Sequence, residues 1–174
     1  MTVEEFRASA KLRLTVVLDN VRSQNNIGSV FRTSDAFRVE HIALCGICST
    51  PPHREIHKTA LGAEESVEWS YYEDTAGCLR ELRARGYRIF AVEQVDDSVK
   101  LGVGVFEPGE AGTAIVFGNE IDGVDEEVLT LCDGSIEIPQ YGTKHSLNVS
   151  CAAAIVIWEL FKKMKIKNEN ENEN

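Results

Sequence analysis

Three short strings hold residues whose types and spacing suit chemistry. The first is Asn25-Asn26-Ile27-Gly28-Ser29-Val30-Phe31-Arg32-Thr33-Ser34-Asp35. Asn26 suits a helix N-cap, and Gly28 permits close backbone approach at a helix start. Arg32 adds a permanent, fork-shaped charge about one and a half turns further on. Taken alone, it also reads as an ordinary solvated helix residue. The second string, Phe117-Gly118-Asn119-Glu120-Ile121-Asp122-Gly123, ends a buried apolar run. Its glycines let backbone approach a ligand, and Glu120 stands where the run stops. The third runs from Ile136 to Ser150 and holds Pro139, Gly142, Ser146 and Asn148. Ser146 predicts a helix N-cap, and Asn148 puts an amide beside that helix's free N–H groups. No string contains G-x-G-x-x-G or a Walker A pattern, which disfavours a phosphate-cradled cofactor.

A fourth candidate is Cys45, Cys48, His53 and His57, spaced C-x2-C-x4-H-x3-H. The spacing superficially resembles zinc ligands. Only one CxxC is present, however, and the chain is large enough to build a core without a metal. With Cys78, Cys132 and Cys151 the count is odd and irregular, which predicts reduced thiols and no metal site.

The elements that must hold these strings alternate. Strands are predicted at Leu14–Leu18, His41–Cys45, Val67–Tyr72, Tyr87–Glu93, Thr113–Phe117 and Ser135–Ile138. Helices are predicted at Val3–Leu12, from Asn26 to about Phe37, at 55–62 ending on Gly62, and at Thr75–Arg85, Asp125–Leu131 and Ser146–Lys165. Gly102 to Gly112 reads as loop. The pattern predicts an α/β fold with a mostly parallel sheet flanked by helices. Ligands of such sheets bind beyond the carboxyl ends of the strands, which is where the three strings fall. Residues 1–166 read as a single domain with 1–12 as an N-terminal helical extension. The Asn/Glu tail 167–174 reads as disordered.

The chain has 174 residues and a net charge of −10. Residues 1–58 nevertheless balance at +2, against −12 for 59–174. Bulk electrostatics are therefore wrong for nucleic acid, and any such partner must meet the N-terminal third. The longest apolar run, Cys151–Leu160, is too short to span a bilayer and is interrupted by Glu159. Met1–Ala10 carries Glu4 and Glu5 and has no apolar core, so a cytoplasmic protein with no membrane partner is expected.

Together, and in this order, the three strings resemble the motifs of the SpoU (TrmH-like) branch of the SPOUT RNA methyltransferases. N-x-G-x-x-x-R-T-x-D-A-F spans Asn26–Phe37, F-G-N-E-x-x-G spans Phe117–Gly123, and I-P-x-x-G-x-x-x-S-L-N-V-S spans Ile138–Ser150. Lys58–Glu64 also resembles the family's intermediate loop. Arg38 departs from the pattern, since the family commonly has Gly there.

The resemblance implies a homodimer with a C-terminal deep trefoil knot, which ordinary chain-threading rules would not suggest. It implies S-adenosylmethionine (SAM) as cofactor, bound by Gln94, Gly118, Asn119, Ile138, Gly142 and Leu147. The implied reaction is methylation of a ribose 2′-hydroxyl in RNA, tRNA by analogy with small relatives. Ribosomal RNA, or a non-catalytic SAM- and RNA-binding regulator, are the alternatives. The implied catalytic set is Arg32, Asn26, Glu120, Ser146 and Asn148. Arg22, Arg38, Arg54 and Lys58 are candidates for the RNA face.

Overall fold

The computed structural model describes residues 1–171; the last residues of the expected disordered tail lie outside them. The elements are α1 (Val3–Ala8), β1 (Leu12–Asp19), α2 (Gln24–Ala36), β2 (Val39–Cys45), α3 (Arg54–Ala60), α4 (Ala63–Ser66) and β3 (Glu68–Tyr72). There follow α5 (Thr75–Ala84), β4 (Arg88–Val92), β5 (Val99–Lys100), β6 (Thr113–Phe117), α6 (Glu126–Thr130), β7 (Gly134–Glu137) and α7 (Val149–Glu171).

The strands form one seven-stranded sheet in the order β3-β2-β1-β6-β4-β7-β5, and every paired neighbour is parallel. Parallel strands need crossovers, so helices cover both faces. Alternation along each strand divides the core. Leu14, Val16, Leu18, Phe90, Ile115 and Phe117 face α2, α3 and α7. Val17, Ala43, Ile89, Ala91, Ala114 and Val116 face α5 and α6 through Cys78, Leu79, Leu82 and Val128. Each central strand is thus buried on both sides, which is why β1 and β6 read as continuous apolar runs.

Several boundaries differ from the sequence reading. The predicted first helix, Val3–Leu12, stops at Ala8 because Leu12 enters β1. The helix predicted over 55–62 ends at Leu61, which takes φ 53°; Gly62, at φ 95°, then starts α4. β5 lies in a stretch not predicted as strand; its two residues pair with β7 at Val99–Ile136 and Lys100–Glu137. The last helix starts at Val149 rather than Ser146 and continues into the Asn/Glu stretch to Glu171. Extending a nucleated helix costs little per residue, so polar composition alone does not stop it.

Chain order reverses at the middle of the sheet. β1 is followed in sequence by β2 on one side, while β6 occupies its other side. The carboxyl ends of β6, β4 and β7, beside this point, open onto a shared crevice, where the second and third strings begin.

Candidate functional site

A cleft of about 590 Å³ lies at those ends. Val92, Phe117 and Ile136, from the ends of β4, β6 and β7, form its floor, and the loop before α7 forms its far wall. Its lining includes the carboxylates Glu93, Glu120, Asp122 and Glu137 and no lysine or arginine. Such a site suits a ligand with positive charge and offers a phosphate no fixed counter-charge. Ile138 and Leu147 supply apolar wall, and the volume suits a drug-sized molecule.

At one rim three of the predicted residues meet. The Asn148 Nδ2 donates to Asn26 Oδ1 at 3.2 Å, and Asn26 Nδ2 donates to Glu120 Oε1 at 3.4 Å. Glu120 also accepts from the backbone N–H groups of Arg22 (3.1 Å) and Ser23 (3.2 Å). Partial burial raises the Glu120 pKa. The backbone N–H groups of Glu120, Arg22 and Ser23, with the Asn26 amide, outweigh it and hold the carboxyl below its ordinary value. The trio joins the loop after β6 to the first turns of α2 and α7.

The caps are not the ones the sequence suggests. Ser23, not Asn26, N-caps α2, its hydroxyl accepting from Asn26 N–H at 3.2 Å. Asn26 is thereby freed for the rim. Likewise Asn148, not Ser146, caps α7: its Oδ1 accepts from the N–H groups of Ser150 (2.9 Å) and Cys151 (3.4 Å). Ser146 is exposed and lines the cleft without a hydrogen bond among the described residues.

The glycines also act differently. A Cβ on Gly28 would strike the Ile56 carbonyl and Thr59, so its close approach is to α3 rather than to a ligand. Gly118 would strike Gly123, with which Asn119 forms a two-way backbone pair at 2.9 and 3.0 Å. The Asn119 side chain is engaged by the protein itself, donating to Asn20 O just past β1 at 2.9 Å and accepting from Ile121 N–H within the loop at 2.8 Å. Gln94, Gly118, Asn119, Ile138 and Leu147 all line the cleft; Gly142 does not, and open space surrounds it.

Arg32 stands apart. It is exposed and lines a second cavity of about 680 Å³ with Arg38, Asp35 and Glu65, bounded by α1, α2 and α4. Arg22 and Arg54 are exposed, and Lys58 pairs with Glu55 at 3.7 Å. Glu93 was missed by the sequence reading. It accepts from Val124 N–H at 3.2 Å and Gln94 N–H at 3.1 Å. Its only sequence signal is its position at the end of a strand.

The cysteine–histidine spacing has other uses. Cys48 Sγ donates to Leu18 O at 3.4 Å, and burial pushes its thiol up to about 11. Hydrogen bonding to Cys78, with burial, pushes the Cys45 thiol far up as well. His53 caps α3, and His57 pairs with Glu64 at 2.5 Å. Among the described residues no group of three or more His, Cys, Asp or Glu side chains is placed to hold a metal ion.

The chain is similar over most of its length to known proteins. A tRNA (guanosine(18)-2′-O)-methyltransferase of Thermus thermophilus is 35% identical over 90% of this chain and 78% of its own length. The 23S rRNA (guanosine-2′-O-)-methyltransferase RlmB of Neisseria meningitidis is 32% identical over 90% of this chain and 61% of its own length. The crystal structure of the Aquifex aeolicus TrmH/SpoU tRNA modifying enzyme superposes with a TM-score of 0.82 at 27% identity, covering 95% of this chain and 82% of that one. The model of the SpoU rRNA methylase family matches residues 13–158, from β1 into α7 and across the whole of the cleft. The sequence match and the shared fold together show that the chain belongs to the SpoU rRNA methylase family.

Proposed function

We propose that this chain methylates a ribose 2′-hydroxyl in RNA, with tRNA the substrate class and SAM the donor. The observation that carries the reading is the Glu120–Asn26–Asn148 chain of hydrogen bonds on the rim of an anionic, lysine- and arginine-free cleft. SAM is cationic at sulfur and carries no phosphate, and the carboxylates and apolar walls present fit it. When bound, it supplies an electrophilic methyl group.

Gln94, the backbone of Gly118 and Asn119, and the walls Ile138 and Leu147 would hold the cofactor, with Gly142 in the loop that turns beside it. Asn26, held by Glu120 and Asn148, keeps its amide in one orientation and presents a rigid rim to the ribose. Ser146, exposed and unengaged, is free to donate to RNA. A guanidinium is a fork of donors with no acceptor, so the role proposed for Arg32 is to grip a phosphate and orient the hydroxyl. The rate then comes from in-line positioning. Arg22, Arg38, Arg54 and Lys58 form the RNA face.

Residues 1–166 act as one methyltransferase domain, and the knot expected from the family belongs to this reading. So does a homodimer, supported by the exposed Ile155 and Trp158 on α7. No helix of the described residues is long and apolar enough to cross a membrane. A cytoplasmic enzyme that needs no metal is the matching proposal.

The test is incubation with methyl-labelled SAM and total cellular RNA, followed by nucleoside analysis. Label in a 2′-O-methylnucleoside of the tRNA fraction is expected, and Arg32→Ala should abolish transfer while SAM still binds. Label in ribosomal RNA alone would overturn the substrate class. Bound SAM without transfer would overturn the activity.

A further inference from the structure

The loop from Pro139 to Leu147 holds side chains that the reading above leaves unused. Tyr141 is 96% exposed, the most exposed of the large hydrophobic side chains among the described residues. Its neighbours Gln140 and His145 line the cleft, so Tyr141 stands at the cleft's edge and not in its wall. Lys144 and His145 are exposed, and no hydrogen bond or ion pair among the described residues engages them or Tyr141.

The surroundings give this loop its meaning. The cleft it borders is lined by Glu93, Glu120, Asp122 and Glu137, a field that repels an RNA backbone. A polyanion approaching the rim trio therefore needs a cation on the rim itself. Lys144 is the lysine next to the lining residue His145. An exposed aromatic ring and a lysine three residues apart on one loop are a pair that can hold unstacked nucleotides: the ring stacks a base and the ammonium meets its phosphate. A duplex keeps its bases stacked on each other and cannot use such a ring. The solvated tyrosine contributes nothing to the core, so its exposure has no packing explanation.

We infer that Tyr141 is a stacking platform for an unpaired base next to the target ribose, with Lys144 as the adjoining phosphate contact. This rests on the RNA reading and sharpens it, because it restricts the substrate to a single-stranded or looped-out nucleotide.

The experiment uses the full chain and three variants: Tyr141→Ala, Tyr141→Phe and Lys144→Ala. Two probes are a fluorescein-labelled oligouridylate strand and the same strand annealed to oligoadenylate. SAM binding is followed separately by calorimetry. The wild type should prefer the single strand. Tyr141→Ala should weaken that binding by about ten- to a hundredfold, and Tyr141→Phe by less than about twofold. Lys144→Ala should weaken it and flatten its dependence on salt. SAM affinity should stay the same throughout.

Unchanged single-strand binding by Tyr141→Ala overturns the inference, as does loss of SAM affinity with RNA binding intact. Neither result touches the methylation reading, which is decided by label transfer from SAM by the wild type. Because Tyr141 is solvated, Tyr141→Ala leaves the fold intact, and a urea midpoint equal to wild type verifies it.

Discussion

Asn148 does two jobs with two ends of one amide. Its Oδ1 caps α7, and its Nδ2 holds Asn26. The substitution Asn148→Asp separates them, because aspartate caps as well as asparagine but has no N–H to donate. Urea unfolding of Asn148→Asp should stay within about 0.5 kcal/mol of wild type, whereas Asn148→Ala should lose about 1 kcal/mol. Methyl transfer by Asn148→Asp should nevertheless fall at least tenfold, about 1.4 kcal/mol of barrier. Full turnover in that variant would show that the Asn26 contact is incidental. The trio's members were legible in the sequence as motif residues, but their bonding was not. Ser23 and Asn26 are equally good caps three positions apart, as are Ser146 and Asn148 two positions apart. Which of each pair caps depends on where the chain must turn to meet β6 and β7, and that is tertiary information. Glu93 and the close packing of Gly28 on α3 were hidden for the same reason.

α2 carries a local conflict at its end. Arg38 sits just past the C-cap Phe37 with φ 51°, in the left-handed region. Its carbonyl accepts from Leu12 N–H at 2.8 Å, and its own N–H donates to Asp35 O at 3.1 Å. The turn from α2 into β2 thus depends on this conformation. A glycine reaches it without a Cβ penalty, which explains why glycine suits this position after Ala-Phe. Arg38→Gly should therefore raise stability by about 0.5–1 kcal/mol in urea, after the glycine's extra unfolded-state entropy is deducted. It should also weaken RNA binding through loss of a charge. A destabilised variant would mean that the guanidinium packs against α1 or α4 more strongly than the strain costs. Elements with one dominant signal were read correctly: β6, apolar on both faces, coincides with its predicted span. Elements decided by one residue were not. Nothing in the sequence announces that Leu61 takes φ 53° and divides α3 from α4, or that two residues at Val99 and Lys100 complete the sheet edge.

The molecule as a whole leaves Arg32 and the cleft unconnected. Asn26 and Arg32 are six positions apart on α2, which turns Arg32 by about 240° around the helix from the rim. In keeping with that, Arg32 lines the second cavity and not the cleft. The apolar stripe of Ile155 and Trp158 on α7 is 39% and 46% exposed, and beside Trp158 lie Phe37, tilted at 5.5 Å, and Phe161, stacked at 6.1 Å. On the homodimer proposed above, a second copy would cover this stripe and is expected to bring its own Arg32 to the neighbouring cleft. The charge balance favours such a pairing, since residues 1–58 balance at +2 and four carboxylates line the cleft. The check is complementation between impaired variants. Alone, Arg32→Ala should be inactive and Asn148→Asp should keep no more than about a tenth of wild-type turnover. Unfolded together and refolded as a mixture, they form mixed dimers in which one cleft pairs an intact Asn148 with an intact Arg32 from the other copy. The mixture should recover about a quarter of wild-type activity, since about half the dimers are mixed and half their clefts are whole. Trp158→Glu, placed on both variants, should give monomers in sedimentation and remove the recovery. If mixed dimers form and stay inactive, Arg32 serves the cleft of its own chain.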